Sequence, residues 1–283
     1  MHGGSARDIA GDGWRIETAR PRDLTAAATA AWADLAERAL ESNPFMEADY
    51  VLAAAQHLPE GRHVALILVW QGEVLRAVLP TVAPRLPLPR REARLWEVPL
   101  AASGAPLLDR AAALPALRAA LHFLARPDAR VAGLALPGLP ARGPLAALIA
   151  GAPELPGARW ALRPGARGPR PLGGTRVVGP GVRDAVETFL VLDAARAERR
   201  AGPCLLQDPA SVTFLRAATR RFAARDACAV DLVERDGRVV GAALTLGRGG
   251  AARAWLAATG PRCLAPDRVD VLLPLTAVLA RAA

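Results

Sequence analysis

Residues 64–80, VALILVWQGEVLRAVLP, and residues 229–246, AVDLVERDGRVVGAALTL, share one pattern. Each is a pair of apolar, strand-like runs joined by a short glycine turn, at Gln71-Gly72 and at Asp236-Gly237. Runs of aliphatic residues bounded in this way predict β-hairpins. The surroundings repeat as well. A helical period precedes each hairpin (about 46–57 and 210–225), and a third strand follows (about 93–98 and 252–258). Another helix comes next (about 111–125 and 268–280). Gly72 and Gly237 lie 165 residues apart, too far for a solenoid repeat and suited to a duplicated domain. Helix, three successive strands and helix predict an α+β (mixed α/β) fold built on antiparallel meanders.

Between the copies lies a stretch dense in proline and glycine. It carries Arg159, Arg163, Arg167, Arg170 and Arg176 with no acid until Asp184. It reads as a solvated linker holding a strand or two, with an anion-binding arm as the alternative. The following helix, about 184–200, places Val186, Phe189, Leu190 and Ala197 on one face at 100° per residue, and Asp193 falls in the middle of that face. Buried carboxylates need a partner, and Arg196 and Arg200 lie along the edge of the same face. Asp193 is therefore expected to be mainly structural, with a role as base toward an acceptor as the second reading. Asp208-Pro209 opens the next helix as an N-cap and an N1 proline. Phe214, Ala218 and Phe222 give that helix its core face, while Arg216 and Arg220 point outward.

Composition removes several mechanisms. The chain has 283 residues, 52% of them hydrophobic, which is enough for two modest cores. All 36 basic residues are arginine, so a Walker-type phosphate loop and Schiff-base chemistry are excluded. The net charge of +9 favours anionic partners, although replacement of every lysine by arginine also fits a GC-rich coding sequence. Nucleic acid is disfavoured as a partner: no aromatics interleave the arginines, and Tyr50 is the single tyrosine. Cys204, Cys228 and Cys263 are widely spaced, and with His2, His57, His63 and His122 they form no metal-ligand pattern. No serine sits in a GxSxG turn. The first residues lack an apolar signal core and no apolar run is long enough to span a bilayer, so a cytoplasmic location is expected.

Several stretches carry a family resemblance: WADLAERALESNPFMEADYVLAAAQ, VLPTVAP, GAPLLD, and above all VETFLVLDAARAERRAGPCLLQDPASVTFLRAATRRFAARDACAVDLVERDGRVVGAAL. The chain resembles the CelD-like (cellulose-biosynthesis type) acetyltransferases of the GNAT superfamily, which are tandem GNAT-like domains related to the Fem aminoacyltransferases. Glu187, Phe189, Leu190, Leu192, Gly202 and Leu205 match the family pattern, and Asp193 takes the place of its second glutamate. Where relatives carry GWKG, this chain has Arg196 to Arg199, without the tryptophan and lysine. After RAWLAA it keeps only Pro266 of the usual turn, and it stops where relatives carry further strands. The resemblance implies two GNAT-like domains, 10–170 and 171–283, each a mostly antiparallel sheet flanked by helices, the second short at its C-terminus. That shortness predicts an exposed sheet edge or a homodimer contact.

The implied activity is transfer of an acetyl or other acyl group from acyl-CoA to an amine or hydroxyl acceptor such as a sugar or glycan precursor, with no metal. A non-catalytic assembly protein of surface-polysaccharide production and a Fem-like aminoacyltransferase are the alternatives. Acyl transfer from a thioester needs a pyrophosphate cradle, a base and an acid. The candidate cradles are the amides of Ser103, Gly104 and Ala105, and the RRAGPC segment with Arg199 and Gly202. Asp109 stands near the first and would repel an anion, and RRAGPC also reads as a helix C-cap. The candidate acids and bases are Asp193, Glu187, Tyr50 and Glu97, with core packing the alternative for Tyr50.

Overall fold

The computed structural model describes residues 5–9, 13–82, 91–127, 129, 131–165, 174–200, 203–258 and 267–275. The chain opens with β1 (Ser5–Ile9), β2 (Trp14–Ala19), α1 (Ala26–Glu37), α2 (Ala48–His57), β3 (Val64–Gln71), β4 (Val74–Val82) and β5 (Arg91–Leu95). It continues through β6 (Leu107–Leu108), α3 (Ala113–Leu124), β7 (Val131–Pro140), α4 (Pro144–Gly151), β8 (Arg159–Arg163) and β9 (Thr175–Val178). Then come α5 (Val182–Arg200), α6 (Pro209–Ala223), β10 (Cys228–Arg235), β11 (Arg238–Leu246), β12 (Arg253–Ala257) and β13 (Arg268–Pro274).

These elements form two sheets flanked by helices, a mixed α/β fold. The first runs β1-β2-β3-β4-β5-β7-β13-β8 with β6 paired to β4, and the second runs β12-β11-β10-β9. Every pairing is antiparallel except β5 with β7. The two hairpins lie in separate sheets. The first turns at Gly72-Glu73, one residue later than the sequence suggested, with Gly72 at φ +56°. In the second, Asp236 and Gly237 both have positive φ (52° and 70°), the backbone that a two-residue Asp-Gly loop supplies.

β3 reads as an unbroken apolar run because both of its faces are covered. Leu66, Leu68 and Trp70 join one buried cluster with α1, α2 and the second sheet. Ile67 and Val69 join another beneath α3 and α4. The first cluster spans both sheets, with Trp32, Tyr50, Phe214 and Trp255 fully buried in it. Trp255 of β12 also donates its indole N–H to the Leu100 carbonyl at 3.0 Å. Arg225, just after α6, donates to Asp49 at 2.8 Å and to Glu47, tying α6 to α2.

One element corrects the expectation. Residues 268–274, expected as the start of a helix in the second unit, are strand β13, seated in the first sheet between β7 and β8. Val271, Leu273 and Leu275 are buried at every second position, a strand period, and Pro274 would break a helix there. Asp270 fixes the strand by accepting the Gly138 N–H (2.8 Å) and the Arg163 Nε–H (2.6 Å). Residues 276–283 lie outside the described residues.

Candidate active site

The parallel pair β5·β7 creates an opening. Its last registered partners are Arg94 and Ala135, yet β7 runs on to Pro140 while β5 stops at Leu95. Beyond Leu95 the chain turns back onto β4, where Trp96 N–H donates to the Pro80 carbonyl (2.8 Å). The loop carrying Ser103, Gly104 and Ala105 then returns to the free end of β7. Gly104 donates to the Gly138 carbonyl at 2.9 Å, and a Cβ at 104 would stand 1.9 Å from the Pro137 oxygen, so only glycine lets the strands approach. A cleft of 1110 Å³ remains beside this loop, lined by Glu41, Ser42, Ser103, Arg142, Arg253 and Asp267 among others. Arg253 comes from β12, so both sheets contribute to the cleft.

Glu41 stands on the wall of this cleft. It is 8% exposed, and its Oε2 accepts the Leu145 N–H (3.3 Å) in the first turn of α4. Pro144 at the start of α4 has no N–H to give, which leaves the Leu145 amide as the donor. Gly143 packs directly against the carboxylate: a Cβ there would be 2.6 Å from Oε2. Burial pushes the Glu41 carboxyl above its ordinary range, and the Leu145 amide and the charge of Arg253 only partly offset this. A carboxylate with a raised pKa on the wall of an open cleft holds a proton more strongly than a free one, which suits it to act as a base. Asn43 joins this corner to the loop opposite. Its Oδ1 accepts the Phe45 N–H (3.2 Å), and its Nδ2 donates to the carbonyls of Ser103 (3.3 Å) and Ala105 (2.7 Å).

Residues 159–283 match the family model of the acetyltransferase (GNAT) domain. No curated protein matches the chain. The matched span runs from β8 to the end of the chain, and a GNAT-type domain supports acyl transfer in general.

Within and beside this GNAT-matched span, the residues singled out from sequence fall in different places. Ser103 lines the cleft, but its Oγ accepts the Ala105 N–H (3.3 Å). With Gly104 also bonded to β7, two of the three proposed cradle amides are committed inside the protein. Tyr50 is fully buried; its hydroxyl donates to the Pro99 carbonyl (3.1 Å), and its ring packs edge-on against Phe45, Phe214 and Trp255 at 5.1–5.4 Å. Asp193 has no exposure at all: Oδ1 accepts from Arg196 (2.7 Å), and Oδ2 accepts the Leu205 N–H (2.9 Å), closing the turn that leads to α6. The Arg200 side chain and Gly202 lie outside the described residues, and Arg199 is exposed on the last turn of α5.

Glu187 is on the same helix as Asp193 but on the surface, in a two-pronged pair with Arg216 (2.7 Å each), whose hydrogen bond holds its pKa below the usual carboxylate value. It lines a separate 790 Å³ cleft with Arg183, Thr219 and Arg220. Glu97 pairs with Arg94 (3.1 Å) and Arg163 (2.5 Å). Asp109, expected to repel an anion, is buried between Arg38 (2.7 Å) and Arg76 (2.8 Å) and accepts the Ala111 N–H (3.0 Å). Burial would raise its pKa, but these three donors outweigh that and hold it low. The Cys228 thiol is pushed up to about 12 by burial, so it is no nucleophile. Among the described residues no cluster of His, Cys, Asp or Glu could hold a metal, and no helix is long and apolar enough to cross a membrane.

Sequence reasoning missed Glu41. It stands in ESNPF, a loop without period, and the groups that bury it come from elements far along the chain. The available signal was Asn43-Pro44, a cap and an N1 proline that fix a short turn just after it.

Proposed function

We propose that the chain transfers an acetyl or other acyl group from acyl-CoA to an amine or hydroxyl acceptor, with the cleft beside β7 as the reaction site and Glu41 as the base. The observation that carries this is Glu41 itself, a carboxylate with a raised pKa on the cleft wall. In the step, Glu41 takes the N–H or O–H proton of the acceptor as its lone pair forms a bond to the thioester carbonyl carbon. The C–S bond then breaks, and the departing thiolate takes a proton from water. The donor's phosphates need cationic or amide partners. Since the Gly104 and Ala105 amides are committed internally, that task falls to the guanidinium of Arg142 and to the remaining nitrogens of Arg253, whose Nη1 donates to the Gly250 and Ala252 carbonyls. A CelD-like role on a sugar or glycan precursor fits a chain of this kind. A non-catalytic role in polysaccharide assembly has one observation in its favour, the internal bonding of those same amides. Calorimetric titration with acetyl-CoA tests the reading: binding that weakens in an Arg142→Ala/Arg253→Ala variant supports it, and no binding to the intact protein overturns it.

A further inference from the structure

A third cleft, of 530 Å³, lies at the other end of the first sheet. It opens beside Val64, where β3 begins. β3 runs parallel to β5, so this end is opposite the one where β7 overhangs. Four arginines from three separate parts of the chain line it: Arg20 and Arg22 at the turn after β2, Arg62 before β3, and Arg221 on α6. Its floor is apolar, made by Leu52 and Ala55 of α2 together with Val64. Gly61 is what lets the turn carrying Arg62 lie directly on α2, because a Cβ there would stand 2.4 Å from the Ala55 backbone.

No carboxylate is among the described residues lining this cleft. Asp23, next to the rim, stands 3.6 Å from Arg22, and Glu60 adjoins Arg62 in the turn. Arg221 reaches the amide oxygen of Gln56 at 3.5 Å. Four guanidiniums around one cleft favour an anion there, and a guanidinium fork suits a phosphoryl oxygen pair. The apolar floor calls for a ligand body that is not itself charged, and the volume suits a small molecule, for which sites of about 300–1,000 Å³ are usual.

We infer that this cleft binds a small soluble phosphate ester with an apolar body, at a site separate from the acyl-transfer cleft and independent of the function proposed for it. The test is calorimetry on the full chain with three probes, hexyl phosphate, inorganic phosphate and hexanol, at low ionic strength. Hexyl phosphate binds more tightly than inorganic phosphate, and hexanol does not bind. The Arg62→Gln/Arg221→Gln variant weakens hexyl phosphate by about tenfold or more. Arg20→Gln/Arg22→Gln, at the turn after β2, acts in the same direction, and Arg235→Gln, on the second hairpin, has no effect. Equal affinity in the arginine pairs and the unaltered protein would overturn the inference, as would an equal loss in Arg235→Gln. So would binding seen only with phosphatidylglycerol vesicles, which would make the surface a membrane contact instead.

Discussion

Two buried carboxylates, Asp193 in α5 and Glu41 before α2, show what burial alone does not decide. Asp193 is sealed in the core, with the Arg196 guanidinium on one oxygen and the Leu205 amide on the other. Glu41 has a single backbone amide, a glycine pressed against it and an open cleft beside it. Among the described residues no guanidinium is within ion-pair distance of it. The Arg196 guanidinium makes Asp193 part of the framework, whereas Glu41, with no such partner, has a pKa raised by burial and an open cleft beside it.

The largest effect that could break this contrast is kinetic. Glu41→Gln should lower acyl transfer by about 100-fold or more, followed as thiol release from acetyl-CoA. It should not destabilise the fold. Because burial raises the folded pKa of Glu41 above 4.5, its contribution to stability is full below that value and is lost as pH rises through the folded pKa. The glutamine variant should therefore match the parent in acid and melt no lower at neutral pH. A parental rate in Glu41→Gln would remove it as the base.

Asp109 extends the paired class, with two guanidiniums on one carboxylate. Asp109→Asn should cost about 2–4 kcal/mol in urea unfolding, somewhat less than a fully buried pair because both arginines are partly exposed. Its pKa is depressed, so the stability it gives is present above 3.8 and lost as pH falls through the lower folded value, and the penalty should shrink in acid. Asp193→Asn keeps the shape and removes the charge. A loss of about 1–3 kcal/mol is expected, with the transfer rate of the folded fraction retained. Unchanged melting with abolished transfer would instead place Asp193 in the chemistry. The smallest effect is at Glu187, whose pair with Arg216 is nearly half exposed. Glu187→Ala should change stability by less than about 1 kcal/mol.

What could be read from the sequence follows the range of the forces involved. The hairpins, the cap at Asp208 and the burial of Asp193 depend on neighbours within a turn or two, and all are present in the structure. Glu41 owes its state to Leu145, 104 residues onward, and no local pattern reports that. The loop at 103–105 looked like a row of free amides, but β7 and Asn43 hold it from outside its own segment. Residues 268–274 look like helix from sequence because their strand partners, β7 and β8, lie more than a hundred residues earlier and leave no local trace.

The position of β13 also sets an order of events. β8 is hydrogen-bonded in its sheet through β13, so when residues 159–163 leave the ribosome their partner does not yet exist. The first sheet must wait, its overhanging strand uncovered, until residues 268–274 have been synthesised; loop closure over that span is slow. The same strand, through Asp270 to Gly138 and from Gly138 to Gly104, braces one wall of the cleft. The protein can therefore finish this cleft only as the last described strand arrives, and a nascent chain arrested before residue 268 would have both sheets begun and that wall unbraced.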